Sequence, residues 1–291
     1  MSTPDTAFVK QYQDTIAILA QQMDSRLRPC VMVDTNFRGE QKFYDQYASD
    51  SMVEIVSRYA DTPVQVPDHR RRMVSPRYFV SNTLEDPVDA LQMLIDPKST
   101  YMQAKMFAAA RQIDDLIITA LGGTAYTGKT GSSSTTLVSW ESGTHIVASS
   151  SVGMTKVKCI SAKALLDKDE VEETDRFFVV RASQLADLLN TTEVTSSDYN
   201  VVKALVEGNL NTWLGFTWIR SERLASNGST TYYTYAFQKK GLQLAIQKDV
   251  EGRVDERPDK NYAWQVYMRM CMGATRLEEA RVVQVACVEI F

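Results

Sequence analysis

The spacing of apolar residues switches repeatedly between helical and strand-like along the chain, which predicts an α+β protein. Ile16, Leu19, Ala20 and Met23 predict a helix over 5–24. Met52, Ile55, Val56 and Tyr59 predict a second over 45–59. From 60 to 84 the pattern becomes extended: Val64 and Val66 alternate with polar residues, and Met73, Tyr78, Phe79 and Val80 follow. Between these arms, Pro67-Asp68-His69 and Arg70, Arg71 and Arg72 predict a charged turn at the tip of a long ribbon. Asp86-Pro87 opens a short helix that Asp96-Pro97 stops.

The strongest helical signal runs from Ser99 to Leu121. Met102, Met106, Ala109, Ile113, Leu116 and Ala120 recur at three- and four-residue steps. Thr100 and Gln103 fit a capping box, and Gly122-Gly123 ends the segment. A Gly/Ser/Thr-rich stretch from 122 to 151 reads as a loop with short strands near Thr136–Trp140 and His145–Ala148. Helices are then expected over 161–168, 182–189 and 196–207, with a strand at Phe177–Val180. Phe216–Leu224 and Tyr232–Phe237 predict a hairpin turning at Asn227-Gly228. Leu242–Gln247 fits a helix end or a strand, and 261–291 predicts two long strands.

At 291 residues the chain is long enough for one large domain or two smaller ones. Its net charge of −4, with basic residues scattered apart from the arginine run, disfavours tight non-specific binding of nucleic acid. No apolar run approaches the ~20 residues that cross a bilayer, and the polar start does not read as a signal peptide. Cys30, Cys159, Cys271 and Cys287 form no CxxC pair or metal-like cluster, and read as reduced, mostly buried thiols. Cys271 and Cys287 fall where two late strands would bring them face to face.

Gly123-Thr124-Ala125-Tyr126-Thr127-Gly128-Lys129-Thr130 satisfies the G-x-x-x-x-G-K-[ST] pattern. A phosphate-binding loop must follow a strand and open a helix. Here the motif follows a helix, and Gly131-Ser132-Ser133-Ser134 is poor helix material. The bland reading is a flexible loop; the alternative is a nucleotide hydrolase using Lys129. His69 and His145 sit in no catalytic pattern. The acidic run of Asp167, Asp169, Glu170, Glu172, Glu173 and Asp175 lacks the glycine of a calcium loop. Asp114-Asp115, adjacent on a helix, point in different directions and make no carboxylate pair. No catalytic, cofactor or metal residue is expected.

The order of parts resembles the major capsid proteins of tailed bacteriophages, with the Hong-Kong-97-type fold. The resemblance is carried by Arg70-Arg71-Arg72, Leu84-Glu85-Asp86-Pro87, Ile95-Asp96-Pro97-Lys98-Ser99, Ala108-Ala109-Ala110-Arg111-Gln112-Ile113-Asp114-Asp115, Gly122-Gly123-Thr124-Ala125 and Gly215-Phe216-Thr217-Trp218. It implies an N-terminal arm over 1–48 and an extended β-hairpin loop over 49–86. A peripheral domain over 87–160 would carry a spine helix at 99–121, followed by an axial domain over 161–245 and return strands over 246–291.

The implied function is an icosahedral shell of pentamers and hexamers around packaged double-stranded DNA, in a virion assembled in host cytoplasm. The implied partners are other copies of the chain, a separate scaffolding protein, a portal and a decoration protein, with no membrane. No lysine occurs between Lys42 and Lys98, so the loop–neighbour lysine crosslink of some relatives is not expected. Candidate inter-subunit contacts are Arg70, Arg71, Arg72 and Arg77, with Asp167, Asp169, Glu170 and Glu172 as an acidic partner patch. Alanine at Arg70, Arg71 and Arg72 would then weaken assembly more than folding. Competing readings are a nanocompartment shell of the encapsulin kind and a tail or decoration protein.

Overall fold

The segment with the clearest helical period forms the longest helix, α1 (Lys98–Gly122), about 37 Å long. It belongs to a computed structural model that describes residues 21–48, 50–59, 61–62, 64–66, 68–85, 98–136, 145–191, 203–204, 211–228 and 230–289. The helix buries Ala109, Ile113, Leu116, Ile117 and Leu121, while Met106 is exposed. It starts at Lys98, so Thr100 lies inside the first turn and is not its cap. At the other end the Gly123 amide donates to the Thr119 carbonyl at 2.8 Å. The helices expected at 5–24, 86–95 and 196–207, and the strand at 136–140, fall wholly or almost wholly outside the described residues.

The strands in chain order are β1 (Met32–Asp34), β2 (Lys42–Tyr47), β3 (His69–Val74), β4 (Arg77–Glu85), β5 (Ala125–Thr127), β6 (Ser133–Thr135) and β7 (Ile146–Val147). They continue with β8 (Arg176–Val180), β9 (Thr212–Trp213), β10 (Phe216–Arg220), β11 (Thr231–Gln238), β12 (Leu242–Arg257), β13 (Ala263–Arg276) and β14 (Val282–Val288). Two further helices are α2 (Lys156–Lys168) and α3 (Ala182–Thr191). The sheets are ordered β1-β12-β13-β4, β7-β14-β11-β8-β10-β9 and β2-β3-β5-β6.

The chain divides into two units, with α1, β12 and β13 running through both. The smaller comprises Tyr78–Arg111 and Lys248–Cys271 with the residues before Ser25. In it Gly252 lies under Met102 and Met268, where a side chain on β12 would collide with the Met102 sulfur. Lys105 is buried, donates to Ser81 Oγ at 3.0 Å, and has its pKa lowered by burial. The β4 and β13 tyrosines Tyr78 and Tyr267 meet hydroxyl to hydroxyl at 2.9 Å.

The larger unit holds the six-stranded sheet and its main apolar core, where α2 and α3 contribute Cys159, Ala162, Leu166, Leu185 and Leu188. The central strands β8, β11 and β14 are buried on both faces over much of their length, which explains their near-continuous apolar runs. The Phe178 ring stacks on Trp218 with centroids 4.6 Å apart and meets Phe216 edge-on at 5.5 Å. Thr155 caps α2 through the Lys158 amide, so this helix begins five residues before the sequence pattern suggests. Buried Lys158 donates to the carbonyls of Ser149, Val152 and Ala286, tying the loop before α2 to β14. Cys159 and Cys287 each lie 3.8 Å from the Met154 sulfur, and burial pushes their thiols up to about 12 and 11. Cys287 therefore faces Met154, not a late-strand cysteine.

Three expectations are corrected. Residues 45–47 belong to β2 and 50–59 are irregular and exposed, so no helix spans 45–59: the ladder with β3 overrides the helical spacing. The arginines are not at a tip but inside β3, paired to β2 across a loop of residues 48–68. The ribbon's arms are thus 42–47 and 69–74, not the stretches around 64 and 79. Strands β10 and β11 do not pair with each other; β8 lies between them, parallel to β10 and antiparallel to β11. Asn227-Gly228 turns only a short bridge from Ser226 to Tyr232.

Substituting Phe178→Ala removes the ring on which Trp218 and Phe216 rest. It should cost about 3–5 kcal/mol, read as a lower urea midpoint by tryptophan fluorescence. An unchanged midpoint would contradict the packing described.

Candidate assembly interface

Strand alternation separates the three arginines of β3. Arg71 sits opposite Asp45 in the ladder and forms an ion pair with it at 2.6 Å, its guanidinium 5.4 Å from the Phe43 ring. Arg70 pairs with Asp68 at 3.3 Å. Both pairs are solvent-exposed and worth little to folding. Arg72 has a different fate: it is 3% exposed and engaged inside its own chain.

Arg72 meets the Glu279 carboxylate, donates to Thr135 Oγ1 at 2.6 Å and to the Leu277 carbonyl at 2.8 Å. Thr135 in turn donates to the second Glu279 oxygen at 2.6 Å. Arg276, fully buried, lies 3.6 Å from Glu279 and donates to the carbonyls of Leu121 and Gly123 at 2.8 and 2.9 Å. Burial lowers the pKa of both guanidinium groups, against the attraction of Glu279. A cation thus satisfies the carbonyl end of α1, and one carboxylate ties together β3, β6 and the turn between β13 and β14. Arg276 and Glu279 were not singled out from sequence; neither carries a motif, and their partners are far away in the chain.

Most of the acidic patch is also internally engaged. Asp167 pairs with Arg176 at 2.6 Å, Asp169 lies 3.4 Å from His145 Nε2, and Glu172 pairs with Lys240 at 2.7 Å. Glu170 alone of the four is exposed without a partner among the described residues; Glu173 and Asp175 are the same. Arg77 is exposed without an ion pair among the described residues and lines a groove of about 270 Å³ with Val74, Leu116, Thr119, Gly273 and Thr275. Asp114 and Asp115 do point apart: Asp114 accepts from Ser25 Oγ and the Arg26 and Leu27 amides, and Asp115 holds Arg223.

The residues Gly123 to Thr130 form β5 and the turn into β6, antiparallel to each other. Gly128 and Gly131 have φ of +90° and +72°, which a left-handed turn requires. No helix follows, so the amides are not gathered at a helix N-terminus as phosphate binding demands. Lys129 is exposed beside a cleft of about 490 Å³ lined by Asp45, Tyr47, His69, Arg70, Arg71, Thr127 and Gly128. Sequence reasoning missed this cleft because three strands, β2, β3 and β5, and the turn after β5 build it.

The loop between β2 and β3 presents Met52, Val53, Ile55, Val56, Tyr59, Val64 and Val66 to solvent, with Met52 fully exposed and Val56 at 89%. These apolar side chains have no covering surface within the described residues. The family model for phage capsid protein matches residues 5–289.

The chain belongs to the phage capsid protein family. Its fold is the Hong-Kong-97-type capsid fold. It is similar to the capsid of the cyanophage P-SCSP1u, with 15% identity, a TM-score of 0.72 and coverage of 98% of this chain and 94% of that one. The Mycobacterium phage Che8 structure gives 15%, 0.71, 96% and 96%, and the capsid of a native GTA particle 13%, 0.74, 97% and 96%. No curated protein matches the sequence. This capsid protein is a structural shell protein, and nothing favours the nanocompartment or nucleotide-hydrolase readings.

Two predictions follow from the charges. Glu279→Gln leaves two buried guanidinium groups without their carboxylate and should cost about 3–5 kcal/mol, whereas Arg71→Ala should cost less than ~1 kcal/mol; urea denaturation of both variants checks the contrast. Glu251 on β12 is held down to about 2, first by Arg269 and then by Lys248 and Arg253. Because the folded carboxyl titrates below its ordinary 4.5, its ion pairs contribute above that pH and are lost as pH falls toward 2. Stability against pH should be flatter in Glu251→Gln over that window.

Proposed function

We propose that this capsid protein assembles with copies of itself into pentamers and hexamers of an icosahedral shell that encloses double-stranded DNA. Residues 1–48 serve as an arm and 49–86 as the loop that overlies a neighbour. Residues 87–160 form a peripheral domain around the spine helix, 161–245 an axial domain, and 246–291 return to the periphery. A separate scaffolding protein, a portal and a decoration protein complete the partners, assembly takes place in host cytoplasm, and the chain carries no enzymatic activity. The net charge of −4 suits a wall that contains DNA without gripping it.

The observation that carries this reading is the exposed apolar loop of residues 50–66. Burying each of its larger side chains is worth about 1.5–3 kcal/mol, and a second copy supplies the missing surface. Arg70 and Arg71, on the same hairpin, meet a neighbour in this reading, as do Arg77 and Glu170. It is supported by the solvent-exposed pairs of the first two and by the exposure of Arg77 and Glu170, which lack an ion pair among the described residues. Arg72, Asp167, Asp169 and Glu172 already have partners in their own chain, so alanine at all three arginines would mix a folding defect with an assembly defect.

Electron microscopy of the purified protein tests the proposal. The wild-type chain should give closed shells. Met52→Asp with Val56→Asp should abolish them while leaving the subunit's stability within ~0.5 kcal/mol, as exposed substitutions do. Normal shells from the double variant would remove the loop from the interface.

A further inference from the structure

The cleft beside Lys129 is an unassigned binding site within the larger unit. Arg70, Arg71 and Lys129 line this cleft of about 490 Å³ together with one carboxylate, Asp45. Arg70 and Arg71 keep exposed surface partners, Asp68 and Asp45. Lys129 has no ion pair or hydrogen bond among the described residues, and the turn at Gly128 holds it at the cleft's rim. His69 stacks edge-on against Tyr47 at 4.6 Å and adds a fourth nitrogen base. The cleft therefore selects an anion.

The same chain carries an anion with nothing to bind. In the turn from Glu170 to Asp175 that joins α2 to β8, Glu170, Glu173 and Asp175 are exposed and unpaired among the described residues. Their neighbours Asp167 and Glu172 have taken the cations Arg176 and Lys240, and Asp169 lies 3.4 Å from His145. Glu170 and Asp175 sit at φ of +52° and +55°.

We propose that the Glu170–Asp175 turn of one copy docks in the Arg70–Arg71–Lys129 cleft of another. This rests on the reading of the chain as a self-assembling shell protein. A turn bearing three carboxylates matches a cleft bearing three cations, and opposite charges facing across an interface fix partner and register. Duplex DNA fits less well. The adjoining loop of residues 48–68 carries Asp50, Glu54, Asp61 and Asp68 against the single cation Arg58, and Asp45 lies in the cleft wall. A polyphosphate backbone would have to run past these carboxylates, whereas a short turn enters the cleft alone.

Charge exchange tests the contact. Arg70→Glu with Lys129→Glu on one side, or Glu173→Lys with Asp175→Lys on the other, should each lower particle yield by about 10-fold, equivalent to ~1.4 kcal/mol. Circular dichroism and thermal melting of the subunits should stay almost unchanged, because Lys129, Glu173 and Asp175 are exposed and the Arg70–Asp68 pair is solvent-exposed and worth little to folding. Combining the two pairs should restore yield to within about 3-fold of wild type, as reciprocal charges do. Wild-type yield from either one-sided variant, or no recovery in the combined one, overturns the cleft contact and leaves the shell reading intact. No particles from the wild-type chain overturns both. Titration with ATP and with a short DNA duplex completes the test: binding that Lys129→Glu removes would assign the cleft to phosphate and overturn the proposal.

Discussion

One buried carboxylate holds the larger unit together. Glu279 sits between two guanidinium groups that the fold has removed from water, and without it neither would be tolerated there. Arg276 then reaches the carbonyls at the end of α1, and Arg72 fixes β3 beside Thr135 of β6. The three side chains thereby set where the long helix stops, where the β5–β6 hairpin turns and where the β2–β3 hairpin is rooted. The exposed, described residues of the loop between β2 and β3 extend from that root. The loop proposed to meet a neighbour is thus rooted in an interaction that no solvent reaches.

Much of this was legible in the sequence where the signal is local. The helix ending at Gly122-Gly123 was recoverable from its period and its glycines, and β8 and β14 from their apolar runs. The β2–β3 pairing was not, because its strands are separated by a long loop whose apolar residues happen to fall at helical spacing. The error at β10 and β11 has a related cause. An Asn-Gly turn predicts that neighbours in sequence pair, but β8 enters between them from an earlier part of the chain.

The candidate site was half legible for a physical reason. A run of three arginines reads as one charged patch, yet a strand sends successive side chains to opposite faces. Which face is buried depends on Glu279, separated from Arg72 by 207 positions. The acidic run was misread in the same way. It is a set of donors' partners, and Arg176, Lys240 and His145 had to be placed before the unpaired carboxylates stood out. Local sequence gives the charge; the distribution between internal and external partners comes only from the tertiary fold.

That distribution bears on how a shell protein stays soluble before it assembles. Apolar side chains as exposed as Met52, Val56, Tyr59, Val64 and Val66 would drive indiscriminate association if they stood on a neutral loop. Here Asp50, Glu54 and Asp61 are interleaved with them, and within this stretch the sequence supplies only the cation Arg58. Like charge keeps two free loops apart at contact range, so in the proposed interface the loop's apolar face would be productive only against a surface that also answers its carboxylates. The requirement for both matches at once turns a sticky segment into a selective one.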